Sequence, residues 1–126
     1  MSLETLQTLD SVIDCQALLT RCLNKIDFAE RMLTLFQGHC AGELSELDQA
    51  LDKGDFEVVR RVAHRVAGAS ANAAAFGLRE RATELRRAAD KHSLDNAAKC
   101  LEELHQEWNK FQAAMSVDYA LSLTKP

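Results

Sequence analysis

Apolar positions recur at a helical period along nearly the whole chain. Leu6, Leu9 and Ile13, followed by Cys15, Leu18, Leu19 and Cys22, predict one or two short helices between about residues 5 and 23. Phe28, Met32, Leu35, Phe36, Leu44, Leu47 and Leu51 then trace one long helix over about 28–52, with Asp27 and Glu30 spaced as a capping box at its start. Gly38 and Gly42 interrupt this helix, as a bend or a close contact with another helix would require. Gly54 and Asp55 read as a stop followed by an N-cap, so a further helix begins near Phe56 and runs to the alanine-rich stretch around 71–74. Ala75, Leu78, Ala82, Leu85 and Ala89 form the stripe of the next helix, which ends near Lys91. Ser93 caps a last one, whose apolar face is Leu94, Ala97, Leu101, Leu104, Trp108, Phe111 and Met115.

Four substantial helices joined by short connections predict an all-α fold. The expected architecture is an antiparallel up-down four-helix bundle with a short N-terminal capping helical segment. With 126 residues, 47% of them hydrophobic, the chain suffices for one core, and a single Pro and five Gly leave little material for a sheet. One domain over 1–126 is expected, with the bundle core at about 28–115 and a tail at 116–126 in which Tyr119, Leu121 and Leu123 offer side chains that dock.

Several function classes lack a basis in the residues. No apolar run approaches the roughly 20 residues of a membrane span, and the N-terminus has no basic flank followed by an apolar stretch, so a cytoplasmic protein away from the membrane is expected. Cys15, Cys22, Cys40 and Cys100 are scattered and read as reduced, mostly buried thiols. His39, His92 and His105 share no metal-ligand spacing with them, and the Glu-x-x-His pattern occurs once, at Glu102 and His105, where a di-iron bundle needs two. No metal site and no bound cofactor are expected, and no glycine-rich phosphate loop is present. The net charge of −4 is uneven: residues 57–91 hold eight Lys/Arg against four Asp/Glu, or +4, which leaves −8 for the rest. Nucleic-acid binders are more often basic overall and rich in stacking aromatics, so this region suits a single anionic group or an acidic partner.

The chemistry is concentrated in the helix beginning near Phe56. Advancing about 100° per residue, Val58, Val59, Val62, Val66, Ala69 and Ala73 fall within one apolar arc, and His64 falls outside it. Its neighbours on the wheel are Arg60, Arg61, Ala67, Gly68 and Ala71, so the imidazole should stand in solvent above very small side chains. A glycine inside a helix costs about 1 kcal/mol relative to alanine, and close approach of another body gives Gly68 a reason to be there. An exposed imidazole flanked by arginines suits a phosphoryl acceptor, since the neutral ring attacks and guanidinium groups offset the charge of the adduct.

The run from His64 through Arg65, Val66, Ala67, Gly68, Ala69 and Ser70, continuing by way of Ala74 and Ala75 to Leu78, Ala82 and Leu85, resembles the histidine phosphotransfer (HPt) domain signature. That signature reads His-x-Leu-Lys-Gly-Ser-Ser, then Gly-Ala, Leu, Cys and Leu at the same later offsets; Gly54, Asp55 and Ala63 also fit it, and the resemblance covers about residues 28–112. It implies a phosphorelay module without an active site of its own, not an enzyme, whose His64 exchanges a phosphoryl group with aspartates of response-regulator receiver domains. Hybrid sensor histidine kinases and receivers are the implied partners, Mg²⁺ is expected on the receiver, and the chain itself is expected as a monomer.

Three positions depart from the signature: the usual Lys after the histidine is Ala67, the usual Gly is Ala74, and the acidic residue that often follows the last Leu is Arg86. Losing the Lys removes a cation expected beside the phosphoryl group. Arg86 from the neighbouring helix, or Arg61 or Arg65 on the same one, is the expected substitute. The alternative is that Ala67 marks a degenerate HPt module that docks receivers without being phosphorylated.

Overall fold

The computed structural model describes the backbone of residues 1–124 and side chains through residue 116. Within them the chain forms α1 (Leu3–Gln7), α2 (Cys15–Arg21), α3 (Ile26–Asp52), α4 (Phe56–Asn72), α5 (Phe76–Asp90) and α6 (Leu94–Thr124). Sharp left-handed turns separate the last five: Leu23 (φ 56°) and Asn24 (φ 59°) follow α2, Gly54 (φ 67°) follows α3, Ala74 (φ 57°) follows α4 and His92 (φ 52°) follows α5. This conformation costs a side-chain-bearing residue roughly 1–2 kcal/mol, and glycine far less. At Ala74 it accounts for the glycine that the HPt signature carries there.

These reversals set each long helix antiparallel to its sequence neighbour. Contacts run α3 to α4, α4 to α5 and α5 to α6, and α6 closes the bundle against α3. Leu33, Phe36, Leu44, Val59, Val62, Val66, Leu85, Leu104 and Phe111 are buried at its centre. Phe36 meets Trp108 and Phe111 edge to face, at ring separations of 6.1 and 5.4 Å, so both α6 aromatics serve the core. Outside the core, His105 Nε2 lies 2.7 Å from Asp48 Oδ1, and the Gln37 amide donates to the Gln112 carbonyl, so polar contacts also tie α6 to α3.

The N-terminal segment covers the α4–α5 connection. Leu6, Leu9, Ile13 and Leu18 bury their side chains, the Asp14 N–H donates to the Ala74 carbonyl at 2.8 Å, and the Arg21 guanidinium donates to the Ala71 carbonyl. The expected cap is thus in place as two short helices.

Several local expectations are corrected. Asp27 is not the cap of α3: Lys25 takes that position without a side-chain hydrogen bond, because the chain emerges from the Leu23–Asn24 reversal already set to coil. Asp27 lies instead in the first turn, where its charge complements the helix dipole, and Glu30 pairs with the N-terminal ammonium at 2.7 Å. The buried line of α3 passes through Ala29, Leu33, Phe36 and Cys40, leaving Phe28 43% and Leu35 58% exposed; here the small Ala29 and the thiol of Cys40 carry the core phase. Leu94, at the very start of α6, is 52% exposed. On α4, Ala63 and Ser70 belong to the buried arc and Ala69 to the surface. Gly38 and Gly42 make no close helix contact, since an added Cβ would meet nothing within 4 Å at either. The backbone of α6 continues to Thr124; the docking expected of Tyr119, Leu121 and Leu123 lies outside the described side chains.

The thiols are free, and Cys15, Cys22 and Cys40 are buried. Burial, with Glu43 adding to it, pushes Cys40 from the ordinary 9.0 up to about 12, and burial with Asp10 beside it pushes Cys15 up to about 11. A raised thiol pKa favours the protonated native form, so this contribution to stability is whole below about pH 9 and is lost as pH rises through 11 and 12. Urea midpoints measured from pH 8 upward should fall along that range, and more gently in Cys40→Ala.

Candidate functional site

The site is built from the start of α4. The Asp55 carboxylate accepts the Val58 N–H at 3.3 Å and fixes the helix's first turn. Val59, Val62, Ala63, Val66 and Ser70 then face the core, and that rotation puts His64 on the opposite side, exposed at mid-helix. Arg61 lies one turn before it and Gly68 one turn after, both exposed, with Ala67 and Ala71 half-buried alongside. A Cβ added to Gly68 would meet nothing within 4 Å. Nothing among the described residues therefore calls for glycine there, and the low relief beside the imidazole faces outward.

Arg86 reaches this surface from α5. Its neighbour Leu85 is fully buried, which anchors the helix face, and its Nη1 stands 3.1 Å from Nδ1 of His64. Arg86 Nε is buried without a hydrogen-bond partner, and among the described residues no carboxylate pairs with this guanidinium. Other arginines differ in this respect. Arg60 pairs with Glu57 at 2.6 Å, Arg81 with Glu84 and Glu103 at 3.2 Å each, and Arg65 with Glu43 and Glu46 of α3 at 2.9 and 3.1 Å. Those glutamates hold the Arg65 guanidinium above its usual range and direct it toward α3. Of the three arginines expected around His64, then, Arg86 touches the ring, Arg61 shares its helix face without an ion pair among the described residues, and Arg65 is neutralised.

Two features escaped sequence reasoning. One is the binding of Arg65 by Glu43 and Glu46, whose spacing of one helical turn was the available signal. The other is Ser70, which is fully buried with no hydrogen-bond partner for Oγ. An unsatisfied buried hydroxyl costs about 1–3 kcal/mol, so Ser70→Ala should raise stability by on the order of 1 kcal/mol, read as a higher denaturation midpoint.

Among the described residues no group of three or more His, Cys, Asp or Glu side chains is placed to hold a metal ion. No described helix is long and apolar enough to cross a membrane. The surface around His64 instead combines an accessible imidazole, an unneutralised guanidinium on its ring and an open apron of small side chains. Such a surface suits an anionic group presented by another protein.

Comparison with known proteins gives this surface a context. A profile of the Hpt domain matches residues 31–114. No curated protein matches the chain significantly by sequence. Among solved structures, histidine-containing phosphotransfer protein B of Pseudomonas aeruginosa PAO1 is similar, with a TM-score of 0.76 and 23% identity over 86% of this chain and 96% of that one. The histidine-containing phosphotransfer protein ZmHP2 from maize superimposes with a TM-score of 0.79 and 20% identity over 95% and 96% of the two chains. A third, MtHPt2 from Medicago truncatula, gives 0.72 and 22% over 79% and 69%.

Proposed function

Because the chain belongs to the Hpt domain family, the histidine phosphotransfer modules of phosphorelay signalling, we propose that His64 is the side chain that accepts the phosphoryl group and passes it on. The setting of His64 carries this reading: an exposed imidazole at the middle of a helix with the Arg86 guanidinium 3.1 Å from its ring, beside a glycine that no contact among the described residues explains. His105 is bound to Asp48, and His92 is stacked on Phe56 at 5.1 Å. Neither offers a comparable surface, and His39, though exposed on α3 beside Gly38 and Gly42, has no guanidinium on its ring among the described residues.

The donor is a receiver domain carrying an aspartyl phosphate, and the acidic pocket of that domain brings the Mg²⁺. Docking aligns the imidazole with phosphorus. As the N–P bond forms, the P–O bond to the aspartate breaks and its electron pair leaves with the carboxylate; the reverse reaction delivers the group to a second receiver. Arg86 and Arg61 supply the positive charge that Ala67 lacks, while Gly68, Ala67 and Ala71 let the receiver surface close in. Arg65, held by Glu43 and Glu46, braces α4 against α3. A cytoplasmic monomer serving receivers and a hybrid sensor histidine kinase fits this role.

One observation favours a second reading. Ala67 occupies the place of the family's lysine, and a module that docks receivers without accepting phosphate would have no need of that cation. Incubation with a phosphorylated receiver and Mg²⁺ decides between the two. Acid-labile, alkali-stable label on this chain supports phosphotransfer, and its absence with each of several receivers supports docking alone.

A further inference from the structure

The contact between Arg86 and His64 constrains where the ring's proton sits. A guanidinium offers donors and no acceptor. At 3.1 Å, Arg86 Nη1 therefore hydrogen-bonds His64 Nδ1 only when that nitrogen presents its lone pair. A neutral imidazole carries one proton, so an accepting Nδ1 places it on Nε2. Protonated Nε2 has no in-plane electron pair with which to attack phosphorus. Nδ1 has the pair, but the guanidinium covers it. In the resting geometry neither nitrogen is a free nucleophile.

We propose that Arg86 is a positioning residue that latches His64, holding the resting ring as the Nε2–H tautomer until the acidic pocket of a docking receiver draws the guanidinium away. This rests on the reading of His64 as the phosphoryl acceptor. Two observations make the latch releasable. Arg86 has no carboxylate partner among the described residues, and its Nε donor is buried without an acceptor, so leaving the ring breaks only the one bond to His64. An acyl phosphate and its surrounding carboxylates carry full negative charge and can take a guanidinium bidentately, so they outcompete a neutral ring, with its single lone pair, for this cation.

The proton then relocates through water, Nε2 giving one up and Nδ1 taking one. Nε2 attacks phosphorus, the N–P bond forms, and the P–O bond to the receiver aspartate breaks with its electron pair going to the carboxylate. The Nδ1 proton stays on the ring, and the freed guanidinium pairs with the phosphoryl oxygens.

The tautomer is readable without any phosphoryl transfer, by ¹⁵N NMR of the His64 ring in the full chain at a pH where the ring is neutral. The unmodified chain should show an unprotonated Nδ1 and a protonated Nε2. Arg86→Lys, whose side chain also only donates, should keep that pattern. In Arg86→Gln, whose amide oxygen can accept from an Nδ1–H, the Nδ1–H form should rise on the order of fivefold, the factor a single net hydrogen bond carries. Adding a receiver loaded with beryllofluoride and Mg²⁺ should move the unmodified chain in the same direction. A purely structural role for Arg86 would leave the tautomer alike in the Lys and Gln variants, and that result overturns the latch. So does an Nδ1–H ring in the unmodified chain, or a ring unmoved by the bound receiver. Label surviving in His64→Ala would instead sink the acceptor reading and leave the tautomer measurement intact, so the two ideas fail separately.

Discussion

A His64→Ala chain incubated with phosphorylated receiver and Mg²⁺ is expected to take up no label above background, while the unmodified chain is labelled. The expectation follows from chemistry that no neighbouring side chain can replace: Arg61, Arg86 and the small residues of the apron contain no nucleophile matched to an acyl phosphate. The fold should survive, because His64 is exposed and alanine is the better helix former by a few tenths of a kcal/mol. Thermal unfolding followed by circular dichroism checks that the loss is not collapse of the bundle. Retained receiver binding with lost labelling would localise the defect to the transfer step. Persistent acid-labile label would move the acceptor elsewhere on the chain.

Gly68→Gln should separate stability from function in opposite directions. An added side chain meets nothing among the described residues within 4 Å of its Cβ, and glutamine in a helix interior is favoured over glycine by about 0.5–1 kcal/mol. The variant should therefore unfold at a higher denaturant concentration than the unmodified chain. In the complex, the same side chain stands one turn from the imidazole and holds the receiver off. Displacing reacting groups by about 1 Å costs on the order of a hundredfold in rate, so transfer should fall between about tenfold and a hundredfold. Gly68→Ala, with one methyl group, should lie between. Equal transfer rates in all three chains would remove Gly68 from the docking surface.

Much of this arrangement was legible in the residue pattern, and the failures have identifiable causes. The α4 and α5 stripes, the Asp55 cap and the outward turn of His64 follow from long periodic segments with β-branched or leucine residues on one side, where burial is decided by size and polarity together. At the start of α3 the periodic rule favoured Phe28 and Leu35, whereas the core took Ala29 and Leu33. Which of two apolar lines is buried depends on where the preceding reversal aims the helix, and Leu23 and Asn24 carry no glycine to announce it. Asp27 and Glu30 have the spacing of a capping box, but the backbone reverses before them. At the site, the sequence could nominate Arg61, Arg65 and Arg86 and could not choose among them. Choosing required the cross-helix distances, which place two glutamates on Arg65 and the imidazole on Arg86.

The order in which the helices pack also bears on how quickly the molecule forms. Each long helix rests on its neighbour in sequence, and among the described residues the main distant closure within the bundle is α6 against α3. Chains dominated by such local contacts lose little loop-closure entropy and fold in roughly microseconds to milliseconds. His64 and Arg86 are 22 residues apart on the single hairpin of α4 and α5. Their meeting is thus among the least distant tertiary contacts the chain makes, and the two groups can come together as that hairpin zips, before the bundle has closed around it.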